Sequence, residues 1–313
     1  MSTPAAVVFP KTLKLDNEKM HRLRLRLGYA LAVVLILGLA VYGFGYYFLD
    51  STQRPFSLKH HLLKPSGSIG LSLGLLGFAI FIVIFLYPLR KRWLWLKRQG
   101  TTRHWLDFHV LLGLMAPFVI AFHASFKFRG LAGMAFWIMT AVALSGVVGR
   151  YLYGQIPRSL TAAELSLQEA RETQEQLTQR LATQNVVPSA ELRPLFRLPR
   201  AEVVHSEPMA LVLCSMVAVD LQREFRIARL RLHTVDLGRA LVTLGGLLPS
   251  GRPELEQVIG TARRQATLSK RILFLSRSQQ VFHLWHVVHR PFSYSFAALA
   301  MVHIVVVLLF GLR

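Results

Sequence analysis

Long uncharged apolar runs alternate with short basic loops along most of this chain. Five runs are long enough to cross a hydrocarbon core of about 30 Å as helices of roughly 20 residues. They are Gly28–Leu49, Ile69–Leu89, Phe108–Phe126, Gly130–Gly149 and Pro291–Leu312, and none contains Asp, Glu, Lys or Arg. In lipid such segments must satisfy their own backbone hydrogen bonds, so each is predicted to be a helix. The first run is too long for a cleavable signal peptide, and no small-residue cleavage site follows it. A sixth run, Pro208–Val219, is too short to cross and predicts a buried helix in a region outside the bilayer.

Between the fourth and fifth runs the pattern becomes polar. Thr161-x-x-Glu164 resembles a capping box opening a polar helix through about Gln184. Pro188, Pro194 and Pro199 predict loop, and Leu211 to about Leu232 predicts a basic amphipathic helix. Gly245-Gly246 and Pro249-Ser250-Gly251 mark a turn. From Pro253 a long basic helix is expected to run into the fifth span. The expected fold is therefore all-α: a five-helix integral membrane bundle with a helical cytoplasmic insertion. Its parts are a basic N-terminus (1–27), helices one to four (28–150), the insertion (151–288) and helix five (289–313). No strand–GxGxxG–helix unit, Walker loop or internal repeat is present in the sequence.

Composition supports that class. Hydrophobic residues make up 53% and charged residues 17%, below the quarter usual in soluble chains. The 37 Lys+Arg against 16 Asp+Glu give +21, but the charges cluster between the apolar runs, which argues against nucleic acid as a partner. A single cysteine, Cys214, leaves no disulfide framework, CxxC pair, Cys-rich zinc site, Cys-ligated iron–sulfur cluster or c-type haem attachment. Lys and Arg concentrate before helix one and between helices two and three, whereas the opposite loops are poorer in them. By the positive-inside rule the N-terminus and 151–288 are cytoplasmic, as in an integral protein of a bacterial inner membrane. Helices three and five then run in the same direction.

That shared direction gives the histidines meaning. His109 and His123 lie fourteen residues apart on helix three, and His289 and His303 are fourteen apart on helix five. Fourteen residues leave two side chains within about 40° on one face and about 21 Å apart along the axis. Parallel helices align them level by level, His109 with His289 and His123 with His303. Two neutral imidazoles can hold haem iron as a six-coordinate electron-transfer centre. Gly113 and Ala116 share the His109/His123 face, and small residues there would let a porphyrin approach. Arg103, Arg150 and Arg290 at one side, with Lys127 and Arg129 at the other, could neutralise haem propionates. A single intramembrane histidine is more often a helix–helix hydrogen bonder or a proton relay. The repeated spacing favours four ligands for two b-type haems.

The motifs His109-Val-Leu-Leu-Gly113, His123, and Trp285-His286-Val-Val-His289-Arg-Pro291 leading to His303 resemble the membrane-embedded dihaem b-type cytochromes. These include cytochrome b and the ferric-reductase/NADPH-oxidase transmembrane domain, in whose ferric-reductase type the third and fifth helices supply the ligands at such spacing. The resemblance covers roughly Leu86–Arg158 and Arg277–Leu312. It implies bis-His ligation of two haem b groups and transmembrane electron transfer. No flavin and nicotinamide module follows helix five, so quinol, soluble carriers or partner subunits of an oxidoreductase complex are the expected donors and acceptors. Membrane lipid is the other expected partner, and +21 favours anionic headgroups or acidic proteins.

The alternatives at helix five are close in sequence. His286 lies about 60° off the stripe of His289 on an ideal helix, which favours His289 as ligand, although a kink at Pro291 would blur the choice. His286 would then bond a propionate or quinone, or sit at the interface; no residue pattern specifies a quinone site. His104 reads as interfacial, His60-His61 as a solvated pair, and His21, His205 and His233 as surface or satisfied residues. Ser145, Gly146 and Gly149 suggest close packing at the end of helix four. The rival function is a proton or metal-ion transport component using the same histidines. It predicts carboxylates along the pathway, and the five spans contain none.

Overall fold

The structure, a computed structural model, describes residues 11–90, 92–155, 172, 174–182, 187–233, 249 and 251–310. All regular elements among them are helical. Five helices are long and apolar enough to cross a membrane, in agreement with the five apolar runs. The chain divides into two compact units, Met1–Arg150 with Val287–Arg313, and Tyr151–His286.

The first unit holds α1 (Lys11–Tyr47), α2 (His60–Leu63), α3 (Ser68–Leu89), α4 (Leu94–Lys97), α5 (Thr102–His123) and most of α6 (Gly130–Gln155). Two boundaries differ from expectation. Helix α1 begins well before Gly28, so its basic stretch is helical too. Helix α5 begins at Thr102, six residues before the apolar run, because the Thr101 hydroxyl caps it by accepting from the His104 amide. That extension brings Asp107 into the helix.

Small residues set the spacing of α3 and α5. A Cβ on Gly77 would lie 2.4 Å from Ile120 Cδ1, and one on Gly74 would lie 2.7 Å from His123 Cε1. Without these side chains the two helices approach closely, as small residues permit in membranes. Leu73, Ile80, Ala116, Val119, Phe122, Phe136 and Met139 fill the core around that contact. The outward faces are apolar as well, with Leu31, Val41 and Leu309 all exposed. A helix that is hydrophobic all round suits a bilayer.

Two buried arginines tie the loops down. Arg54 donates to the carbonyls of Tyr47 (2.8 Å), Leu49 (3.0 Å) and Ser125. Arg90 donates to Leu96 O (3.1 Å), Lys97 O (3.1 Å), Gly100 O (2.7 Å) and Thr102 Oγ1 (2.8 Å). After His123 the backbone reverses through Ser125 and Phe126 with φ of 48° and 59°. Left-handed conformations at non-glycine residues cost roughly 1–3 kcal/mol each. Ser125 is fully buried and its hydroxyl donates to Leu63 O at 2.7 Å, which helps to hold this turn.

The second unit contains α7 (Ser189–Leu192), α8 (Ala201–Ser206), α9 (Met209–His233) and the first part of α10 (Pro253–Phe310). The proline-rich stretch is not plain loop: Pro194 opens a 3-10 turn at Arg193–Phe196, a position that needs no amide donor. The Pro208–Val219 run lies in α9, where Val212 and Met216 pack with Val204 and Phe274. A second cluster joins Ile227 and Leu230 to Leu255, Val258, Ile259 and Ala262. The fully buried Lys270 ammonium is bound by the Asp220 carboxylate and by Tyr151 Oη at 3.1 Å. Burial pushes the neighbouring Arg223 guanidinium below its ordinary value, while Asp220 and Glu224 pull it upward. Residues 174–182 are helical, but the Thr161/Glu164 box and Gly245-Gly246 lie outside the described residues. Gly251 has φ +74° just before α10, the turn conformation that glycine favours. As the sequence predicts, α10 runs unbroken through Pro291.

Candidate functional site

The close approach of α3 to α5 sets the first two histidines. His123 Nδ1 lies 2.8 Å from Gly70 O, and His109 Nδ1 lies 3.1 Å from Ile84 O, both carbonyls of α3. A carbonyl can only accept, so Nδ1 carries the proton and donates in each ring. The neutral imidazole then keeps its lone pair on Nε2. The His109 ring also packs 4.9 Å from the ring of Tyr87.

His289 is anchored by a different route. Its Nδ1 lies 2.7 Å from Ser145 Oγ on α6, and Ser145 Oγ also lies 2.8 Å from Val142 O. Where the serine gives its proton to Val142 O, its oxygen accepts from the imidazole. Anchoring of one ring nitrogen on an oxygen is the arrangement that orients a metal-binding histidine. His303 is half-buried. His109 thus leans on α3 and His289 on α6.

The His109/His123 stripe has open space at Gly113. A Cβ built on Gly113 would meet nothing within 4 Å. Pro117, one turn later, cannot donate to the Gly113 carbonyl, which loosens the helix at that point. Ala116 departs from expectation, because it is packed into the core against other side chains. Arg290 is exposed. Among the described residues no group of three or more His, Cys, Asp or Glu converges as a free metal-ion site would require. The described arrangement is three imidazoles, each with Nδ1 beside an oxygen of a neighbouring helix, and open space at Gly113.

His286, described within the second unit, is anchored on its own helix, with Nδ1 3.1 Å from Phe282 O and the Phe282 ring 4.3 Å away edge-on. His60 is not simply solvated: its Nδ1 lies 3.1 Å from the hydroxyl of buried Tyr46.

Sequence reasoning missed a buried ionic chain at the His109 end. Asp107, 8% exposed, pairs with Arg150 Nη2 at 2.7 Å and His21 Nε2 at 3.0 Å. His21 stacks on His104 with centroids 3.7 Å apart, and His104 reaches Glu18 at 3.6 Å. Glu18 also meets Arg22 (3.3 Å) and Arg103 (3.5 Å). The cluster clasps α1, α5 and α6, and it engages Arg150 with a carboxylate. Its signal was present in the spacing: Arg103, His104 and Asp107 share one helical face, as do Glu18, His21 and Arg22. Compared with known families, curated proteins and solved structures, the chain matches none of them.

Proposed function

We propose that this chain is a dihaem b-type cytochrome, an electron-transfer subunit that carries electrons across a membrane. His109 and His289 would hold the inner haem, and His123 and His303 the outer one. The observation that carries this reading is the shared anchoring of His109, His123 and His289, each with Nδ1 within hydrogen-bond distance of an oxygen on a neighbouring helix. Bound b-type haem supplies one-electron iron chemistry that these side chains lack. The protein's part is to present Nε2 at a fixed angle, to leave space beside Gly113 and to exclude water with its apolar core. Electrons would be exchanged with quinol, soluble carriers or partner subunits. The N-terminus and 151–288 would face the cytoplasm of a bacterial inner membrane. A reduced-minus-oxidised spectrum with haem extraction should give a low-spin b-type signal and two haems per chain. A haem-free protein that also fails to take up added haemin would refute the proposal.

One observation favours a second reading, a proton or metal-ion transport component. Asp107 is a buried carboxylate at the end of the bundle, joined through two stacked imidazoles to the surface residue Glu18. Asp107→Asn separates the two. A cytochrome would keep both haems, whereas a transporter would lose ion flux in proteoliposomes.

A further inference from the structure

Helix α9 has two apolar faces, and its own unit uses one of them. Val212, Met216, Ile227 and Leu230 are buried in the clusters described above. On the opposite side Leu211, Cys214, Ala218, Leu221, Phe225 and Leu232 are exposed, with Leu221 at 56% and Phe225 at 70%. These positions recur at alternating steps of three and four, with Ala228 completing the heptad as a buried member. A seven-residue repeat of this kind is the seam of a left-handed coiled coil. The 22 residues from Leu211 to Leu232 give the stripe a length of about 33 Å.

The flanks of the stripe choose its occupant. A helix lying on anionic lipid carries cations on both edges of its apolar face. Here one edge carries Glu224, which also pairs with Arg263 at 2.6 Å, and the other carries Arg229. In heptad terms Glu224 is a g position and Arg229 the e position five residues on, the pair that meets between two parallel helices of identical sequence. Mixed signs at that offset suit a second copy of the same helix. We propose that α9 is the dimer interface of this protein, formed by parallel pairing of the Leu211–Leu232 seam with its twin. The inference is independent of any cofactor.

Cys214, the only cysteine, reports on this geometry. It falls at a d position, so a parallel pair places the two thiols face to face across the seam. Copper–phenanthroline oxidation of the full-length protein in detergent should give a disulfide-linked dimer of the 35.4 kDa chain that persists on dilution. The dimer should disappear in Cys214→Ser and in Leu221→Glu. Leu221→Glu should keep its helical content and melting temperature, since residue 221 is exposed. Glu224→Arg should reduce the cross-link, and adding Arg229→Glu should restore it. Cys214 that is alkylated readily by a small maleimide but never cross-links would overturn the proposal. So would undiminished cross-linking of Leu221→Glu, failure of the charge swap to restore pairing, or a monomer whose Cys214 is shielded only in lipid vesicles.

Discussion

His123 donates its Nδ1 proton to the carbonyl of Gly70, one helix away, at 2.8 Å. This bond exists because α3 carries no side chain at Gly74, where a Cβ would lie 2.7 Å from the imidazole Cε1. Gly74→Val should therefore push the ring off its carbonyl. The expected outcome is selective loss of the His123-level haem, with the other spectral component intact. Optical titration of the purified variant checks it, and retention of both components would separate the ring's orientation from ligation.

Substitution of the four proposed ligands should sort by level. His123→Ala or His303→Ala should each remove one haem, and His109→Ala or His289→Ala should each remove the other. His286→Ala is the control and should keep both, because residue 286 lies about 60° off the stripe of His289 on an ideal helix. Haem-to-protein ratios decide the matter; two haems in every variant would end the histidine argument. Loss of a haem in His286→Ala with retention in His289→Ala would move the ligand to His286.

The proposed orientation rests on the basic loops. In a Cys214→Ser background, Gln99→Cys should be shielded from an impermeant thiol reagent in intact cells and labelled after permeabilisation. Thr52→Cys, in the opposite loop, should label from outside. The reversed pattern would exchange the two faces.

The second unit rests on a buried charge. Removing one partner of a buried ion pair costs roughly 3–5 kcal/mol, whereas replacing both by apolar groups is often neutral. Asp220→Asn should thus strip Lys270 of its counter-ion and destabilise the Tyr151–His286 unit by about that range. Asp220→Leu combined with Lys270→Met should recover most of the loss. Hydrogen exchange along α9 measures both; equal protection in Asp220→Asn and the parent would show that Tyr151 suffices.

The five long apolar helices were legible because a run of some twenty uncharged residues in an apolar medium can satisfy its backbone only by coiling on itself. The fourteen-residue repeats were legible because helix geometry converts spacing into direction. Ser145 as the acceptor for His289 was not, since a serine on another helix leaves no periodic trace. Asp107 was hidden by the method of reading. A search for uncharged runs stops at Phe108, one residue short of the carboxylate, whereas the helix begins at Thr102 under the Thr101 cap. His60 looked solvated because its partner, Tyr46, reaches it from the preceding helix.

Helix α5 is held at both ends. Arg90 grips Thr102 at its start, and the Ser125 turn, bonded to Leu63 and Arg54, closes its finish. A rod of 22 residues, about 33 Å long, cannot slide like a piston between two such stops. His109 and His123 are then fixed graduations on a ruler. If the register of these two histidines against His289 and His303 is ever tuned, the adjustment belongs to the helix that carries the latter pair.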